Sequence, residues 1–155
     1  MVTTRSRYSL RAMIDIARHQ AGGPVRAADI AERENISAGY LERLLKQLVS
    51  EGLVRSRKGP GGGYLLKRPA ESITLDQILH SSGEDLAPVP CERQDCEQEC
   101  KLYHTCSARE VWAGMREAAE QYLGRHRLSE LLEIPRAGGK TTNGLRPLRS
   151  TAGSH

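Results

Sequence analysis

Leu53-Val54-Arg55-Ser56-Arg57-Lys58-Gly59-Pro60-Gly61-Gly62-Gly63-Tyr64-Leu65-Leu66-Lys67 decides the fold. Two short runs rich in apolar residues flank a tip of four glycines around one proline, the pattern of a β-hairpin. Glycines at the tip let the backbone approach another surface closely. Arg55, Arg57, Lys58, Lys67 and Arg68 line the hairpin. A cation at such a tip suits a narrow minor groove. A nucleotide phosphate loop is the rival reading. It lacks the lysine–Ser/Thr pair of such loops, and no helix pattern starts after the glycines.

Working back from the hairpin, Leu41, Leu44, Leu45 and Leu48 form one apolar stripe at helical spacing, stopped by Gly52. Ser37 is placed to cap that helix. Before it, Arg26 to Asn35 reads as a short helix with Ala28, Ile30 and Ala31 inward, and Asn35 suits the left-handed position of a tight turn. Residues 5–20 form a first helix with Leu10, Met13, Ile14 and Ala17 on one side, ended by Gly22, Gly23 and Pro24. Two helices joined by a tight turn make a helix-turn-helix, and a hairpin directly after the second is a wing. The fold class expected is mainly α: a winged helix-turn-helix DNA-binding domain over 1–80, with a long C-terminal dimerisation helix.

The second helix of such a unit puts its N-terminal side chains into the major groove. Here those are Ser37, Ala38, Gly39, Tyr40, Glu42 and Arg43, followed by Lys46 and Gln47. At the wing, Arg57, Lys58, Gly59, Pro60 and Gly61 are the candidate DNA contacts. Glu42 has two readings. It can accept from a cytosine amino group, or pair with Lys46 at i,i+4 within its own helix.

Charge supports a nucleic-acid surface on the first half. Residues 1–68 hold 13 Lys and Arg against 6 acidic residues, whereas 69–135 hold 6 against 13. The 155 residues include no Phe and one Trp, so Leu, Ile, Val, Met and Ala must fill the core, which favours helices. No apolar run nears the ~20 residues of a membrane span, and no signal-peptide core is present. A cytoplasmic location is expected, with no membrane partner and no small-molecule substrate. No Ser/His/Asp order and no paired carboxylates in an apolar setting argue for catalysis, so the chain reads as a non-enzyme.

Arg7-Tyr8-Ser9-Leu10-Arg11-Ala12-Met13, Ala28-Asp29-Ile30-Ala31-Glu32-Arg33, Ile36-Ser37, Tyr40-Leu41-Glu42, Gly52-Leu53-Val54 and above all Gly59-Pro60-Gly61-Gly62-Gly63-Tyr64-Leu65 carry a resemblance. Over about residues 1–134 the chain resembles the bacterial winged helix-turn-helix regulators typified by the iron–sulfur cluster regulator IscR and the nitric-oxide sensor NsrR. The resemblance implies a homodimeric transcription factor, usually a repressor, often carrying an iron–sulfur cluster. A two-fold dimer would read a palindromic operator in double-stranded DNA.

All four cysteines, Cys91, Cys96, Cys100 and Cys106, fall in one polar stretch. Four thiols so gathered suit an iron–sulfur cluster or zinc, and no Cys-x2-Cys knuckle decides for zinc. A thiol–disulfide switch is the other reading. By the resemblance, Cys91, Cys100 and Cys106 match the three family cysteines, and Trp112 matches the tryptophan that follows them. The gap from Cys91 to Cys100 is longer than the commoner one. Cys96 is then additional. IscR-like members use a histidine three residues after the last cysteine, where this chain has Arg109, which cannot ligate. Cys96 is the first choice for the fourth ligand, with His104 behind it. The resemblance puts [2Fe–2S] ahead of [4Fe–4S].

The cysteine-rich loop is assigned to 81–106. Before it, Thr74 and Gln77 fit a capping box ahead of Leu75, Ile78 and Leu79. After it, Ser107 and Glu110 fit a second capping box at the start of a long helix. Val111, Met115, Ala118 and Tyr122 form its apolar stripe, broadened by Trp112, Ala119 and Leu123. Gly124 is expected to interrupt it before a short closing piece with Leu128, Leu131, Leu132 and Ile134. This dimerisation helix and closing piece take 107–134. Residues 135–155, without periodicity, read as a disordered basic tail.

Overall fold

The computed structural model describes residues 3–83, 86–93 and 100–134. Cys96 and the segment 135–155 lie outside them. The described chain runs α1 (Thr4–His19), α2 (Ala27–Glu34), α3 (Ala38–Ser50), β1 (Val54–Arg57), β2 (Gly63–Leu66), α4 (Leu75–His80), α5 (Arg109–Arg125) and α6 (Leu128–Leu132). This is the expected winged helix-turn-helix, mainly helical, with one antiparallel hairpin.

Helix α1 is the hub, packed by α2, α3, α4, α6 and β2. Thr3 caps it through its side chain. The expected stripe finds the helix but places its buried face too narrowly. Met13 is fully buried, while Leu10, Ile14 and Ala17 are half-buried. Ala12 and Ile16 go deeper, and with them the polar Ser6, Ser9 and Asp15. A helix surrounded on several sides buries a wider arc than a surface helix does.

In α2, Ile30 is fully buried, but the expected inward Ala28 is exposed and Ala27 packs on the core instead. Asn35 ends α2 in the left-handed region (φ 50°, ψ 52°), as the turn requires. Ser37 holds the N-cap position of α3 without a side-chain bond to the helix. Leu41, Leu44, Leu45 and Leu48 are buried as expected, and Gly52 (φ +72°) turns the chain out of α3.

The hairpin pairs Val54 with Leu66 and Arg57 with Gly63. Only Val54 and Leu66 of these strands are buried, so the hairpin projects from the core. It is tied back by Val25, whose N–H donates to the Tyr64 carbonyl (2.9 Å) and whose carbonyl accepts from the Tyr64 N–H (2.8 Å). That pairing brings Gly63 against the Val25 backbone: a Cβ there would lie 2.5 Å from the Val25 oxygen.

Thr74 and Gln77 cap α4 as the sequence indicates. Leu86 and Ala87 are buried beyond it, and a 3-10 turn at Pro90–Glu92 carries the first cysteine. The expected cap at Ser107 and Glu110 does not form. Helix α5 begins at Arg109 with Ala108 as its N-cap residue, and the Cys106 carbonyl accepts from the Arg109 N–H (3.2 Å).

The expected break at Gly124 falls instead at His126, which is extended. One glycine costs a helix only about 1 kcal/mol, whereas the break at His126 is imposed by pairing. Leu75 N–H donates to the His126 carbonyl (3.1 Å), Leu128 N–H to the Ile73 carbonyl (2.9 Å), and Thr74 bridges Arg127. Leu128 then enters the main core, fully buried. The Arg18 guanidinium donates to the Leu131 (3.2 Å) and Ile134 (2.7 Å) carbonyls, closing the end of α6. Among the described residues, no helix is long and apolar enough to cross a membrane.

Two outcomes test this construction. Gly63→Ala should lower stability by roughly 1–3 kcal/mol in urea unfolding, through the close contact and the unfavourable φ. Gly39→Ala, with open space around it inside α3, should be neutral or stabilise by about 0.5–1 kcal/mol.

The second concerns acid. Glu130 accepts from the Arg127 N–H (2.7 Å) and pairs with His126 Nδ1 (2.7 Å). Burial pushes its carboxyl up, but these bonds and the neighbouring charges outweigh it and hold it below the ordinary glutamate value. The folded value is the lower one, so this stabilisation is present at neutral pH and lost as pH falls through that depressed value. Below about pH 5, Glu130→Gln should flatten the fall of melting temperature with acid.

Candidate nucleic-acid face and cysteine site

The buried stripe of α3 leaves a helix face in solvent. Ser37, Ala38, Gly39, Glu42, Arg43 and Lys46 are exposed on it, with Tyr40 and Gln47 half-buried. Arg57, Lys58, Gly59, Pro60 and Gly61 are exposed at the wing. The tip holds its shape by positive φ at Gly59 (+95°) and Gly61 (+70°) and by a Gly62 N–H bond to the Gly59 carbonyl (2.9 Å). The pair between Glu42 and Lys46 does not form, so the Glu42 carboxylate is left pointing to solvent.

Tyr40 is positioned from α1, a feature the sequence reading missed. Its ring meets Tyr8 edge-on at 5.8 Å between centroids. The Arg43 guanidinium lies 5.6 Å from the Tyr40 ring, and Arg11 lies 5.3 Å from the Tyr8 ring. Arg11 also pairs with Glu34 at 2.8 Å. Tyr8 stands in a motif that carries the family resemblance, the one signal that could have found it.

Two ion pairs fix α2 against α1. Asp15 has no solvent exposure and accepts from Arg33 Nη2 (2.7 Å) and Nε (3.0 Å), which holds the Arg33 guanidinium above its ordinary value. Arg11 to Glu34 is the second. At the start of α2, Arg26 donates through two nitrogens to Asp29, and this bond lowers the Asp29 carboxyl.

The cysteine site lies at the N-terminal end of α5. Cys91 sits on the 3-10 turn Pro90–Glu92, Cys100 opens a run of turns, and Cys106 adjoins α5. All three are half-buried free thiols. Cys106 shares an open cleft of about 320 Å³ with Glu92, Tyr103, His104, Arg109, Glu110 and Ala113. Among the described residues, no three His, Cys, Asp or Glu side chains close on one metal position. The donor set still fits a thiolate-bound metal group in kind: among the described residues the thiols are not joined in a disulfide, are partly exposed, and are carried by the turns that lead into one helix. Arg109 is engaged with Tyr103 and Glu92.

Helix α5 presents three faces. Leu123 packs against the main core, and Trp112 and Ala119 are half-buried on the same side. Arg109, Ala113, Arg116 and Glu120 face the Cys91 turn. On the far side, Val111 (59% exposed), Met115 (51%) and Tyr122 (48%) stand in solvent with Ala118. The expected dimer face is thus split: Trp112, Ala119 and Leu123 turn to the domain itself, while this last stripe stays largely exposed among the described residues, with Tyr122 meeting the His126 ring at 4.5 Å between centroids.

The family described as "Rrf2: Iron-dependent Transcriptional regulator" matches residues 2–134. The HTH-type transcriptional regulator IscR of Xenorhabdus nematophila is 37% identical over 132 residues, covering 85% of this chain and 79% of the relative. The solved structure of T. potens IscR superposes with a TM-score of 0.67 at 30% identity, covering 85% of each chain. The oxidized form of Staphylococcus aureus CymR superposes with a TM-score of 0.69 at 31% identity, covering 88% of this chain and 98% of that one. With the wing, the reading helix and the fold in agreement, the chain belongs to the Rrf2 family of transcriptional regulators, which are DNA-binding proteins and not enzymes.

Proposed function

We propose that this regulator is a sequence-specific homodimer, acting as a repressor, whose affinity for a palindromic operator is set by an iron–sulfur cluster held by Cys91, Cys96, Cys100 and Cys106. The observation that carries this reading is the arrangement of α5. The free thiols sit at its N-terminal end, and its unpartnered apolar stripe runs along the side away from the Cys91 turn. Two copies joined along that stripe would hold two reading helices at a separation of one DNA turn, about 34–36 Å, or a multiple of it.

In this reading Glu42 and Arg43 read base edges, Ser37, Gly39, Tyr40 and Lys46 set the helix in the groove, and Arg57, Lys58, Gly59, Pro60 and Gly61 seat the wing. The cluster, when bound, supplies iron–thiolate bonds that respond to iron supply, oxygen, nitric oxide or redox state. A two-iron centre is preferred. The chain's own part is to carry the cysteines on turns attached to α5, so that a change in the turns is felt by the helix that joins the two copies. Such a switch works only through a difference in cluster affinity between the two arrangements.

A thiol or zinc switch without iron is the second reading. The similarity to an oxidized CymR favours it, together with the three free thiols.

Iron, acid-labile sulfide and visible absorbance on protein purified without oxygen decide between them. Equal iron and sulfide with a charge-transfer band is expected, and Cys100→Ala should remove both while leaving a folded protein. A Cys100→Ala protein with unchanged iron, sulfide and spectrum would remove Cys100 from the ligand set. Colourless zinc protein, or protein with all its thiols titratable after reconstitution, establishes the second reading. At the wing, Lys58→Ala should weaken binding to duplex DNA across sequences. It should also lower the slope of log affinity against log salt by about one.

A further inference from the structure

Two arginines of α5 make contacts that neither DNA reading nor ligation accounts for. Arg109 Nη2 donates to the Tyr103 hydroxyl at 2.7 Å, and its guanidinium carbon lies 3.9 Å from the centre of the Tyr103 ring. Arg109 Nε lies 3.9 Å from a carboxylate oxygen of Glu92. Arg116, two turns further along the same face, donates from Nη1 to the Glu92 carbonyl at 2.6 Å and from Nε to Glu120 at 2.9 Å. Ala113 lies between the two arginines and lines the same cleft.

Taken singly, these are contacts of small worth. The Arg109 side chain is 43% exposed, and a pair at 3.9 Å in water contributes little. What distinguishes them is where they converge. Glu92 follows Cys91 in the chain, and Tyr103 lies between Cys100 and Cys106. One guanidinium therefore joins the two cysteine-bearing segments. Glu92 is approached at its carboxylate by Arg109 and held at its carbonyl by Arg116. Its side chain is only 11% exposed, so solvent screens the first of these contacts less on that side. A planar guanidinium suits this double duty of stacking on a ring and donating sideways; an ammonium does not.

The geometry points to Arg109 and Arg116 as a clamp that docks the Cys91 turn on α5 through protein contacts alone. The turn that carries Cys91 is thereby held on the same helix that follows Cys106, and the metal has only to draw the thiols together. These are positioning residues, and the inference rests on the reading of the cysteines as ligands. It predicts that removing the clamp loosens the turn in metal-free protein and, separately, raises the iron concentration needed for loading.

The test uses full-length, metal-free protein with Cys96→Ser and Cys100→Ser, so that Cys91 and Cys106 are the remaining thiols. A short bismaleimide is added, and the rate of intramolecular cross-linking is compared with the rate of single-site labelling by a monomaleimide. Arg109→Met is expected to lower that ratio by about ten-fold, as the effective concentration of one thiol near the other falls. Arg116→Met should lower it too. Arg109→Lys and Tyr103→Phe should fall between, because each keeps part of the contact. Melting temperatures close to the parent's would separate a loosened turn from a misfolded chain. Equal cross-linking in the parent and both arginine variants, or a parent pair that does not cross-link, overturns the clamp. In four-cysteine protein, anaerobic titration with ferrous iron and sulfide should show weaker loading for Arg109→Met. If the parent takes up no iron, the cluster reading fails, while the cross-linking comparison still decides the clamp.

Discussion

Asp15 puts a carboxyl group in a place where no water reaches it. An unanswered carboxylate there would cost several kcal/mol or more, so the fold must supply a partner or the residue must lose its charge. Arg33 supplies it with two nitrogens, reaching across from α2. The consequence is geometric. A bidentate pair is intolerant of sliding, so α2 has one rotation and one height against α1. Asn35 then turns the chain through the left-handed region, and α3 leaves in a fixed direction with its leucines inward. The exposed reading face is therefore set from the opposite side of the core. The second pair, Arg11 to Glu34, repeats the constraint at the end of α2, where the turn begins. Whether such a pair adds net stability over an apolar substitute is secondary; what it supplies here is a single arrangement.

The wing is held by a different device. Two backbone hydrogen bonds between Val25 and Tyr64 extend the hairpin by one residue of a third strand. They bring the backbones so close at Gly63 that a side chain does not fit. The glycines of the tip thus divide into two kinds. Gly59 and Gly61 provide turns in open space, while Gly62 and Gly63 allow backbone to lie against backbone. The far end of the chain is secured in the same manner, by His126, Arg127 and Leu128 pairing around Thr74. Helix α5 is thereby anchored to the reading core at its C-terminal end, with the cysteine turns at the other.

Elements with strong periodic patterns and obligatory turn residues were legible in the sequence. The leucines of α3, Asn35, Gly52, the Thr74–Gln77 cap and the hairpin all stand where the reading placed them. Failures occurred where tertiary contacts override local signals. Ser107 and Glu110 have the spacing of a cap, yet the Cys106 and Ala108 carbonyls start the helix one residue later, with Ala108 as the N-cap. Gly124 looks like a helix stop, yet the stop is set by strand-like pairing to residues fifty positions earlier. Asp15 and the Tyr8–Tyr40 contact are long-range, and no spacing within one helix announces either. At the cysteine segment the sequence names donors, but it does not say that Arg109 would turn to Tyr103 and Glu92.

Charge segregation bears on how a signal could travel. The first 68 residues carry 13 basic against 6 acidic groups, and residues 69–135 the reverse. Phosphate attracts the one half and repels the other, so duplex is favoured electrostatically on the side of the first 68 residues. The same field keeps the acidic cysteine half away from the backbone of the DNA. A change at the cysteines therefore has little prospect of acting by direct contact with the operator. It has to pass through protein, and α5 is the element that touches all the parties. One face holds the Cys91 turn, one packs on the helical core, and one carries exposed apolar side chains. In the proposed dimer, a small rotation of that helix about its anchored C-terminal end would alter the relation of two reading heads without disturbing either core, which is the kind of motion a pair of rigid modules joined by one helix can make cheaply.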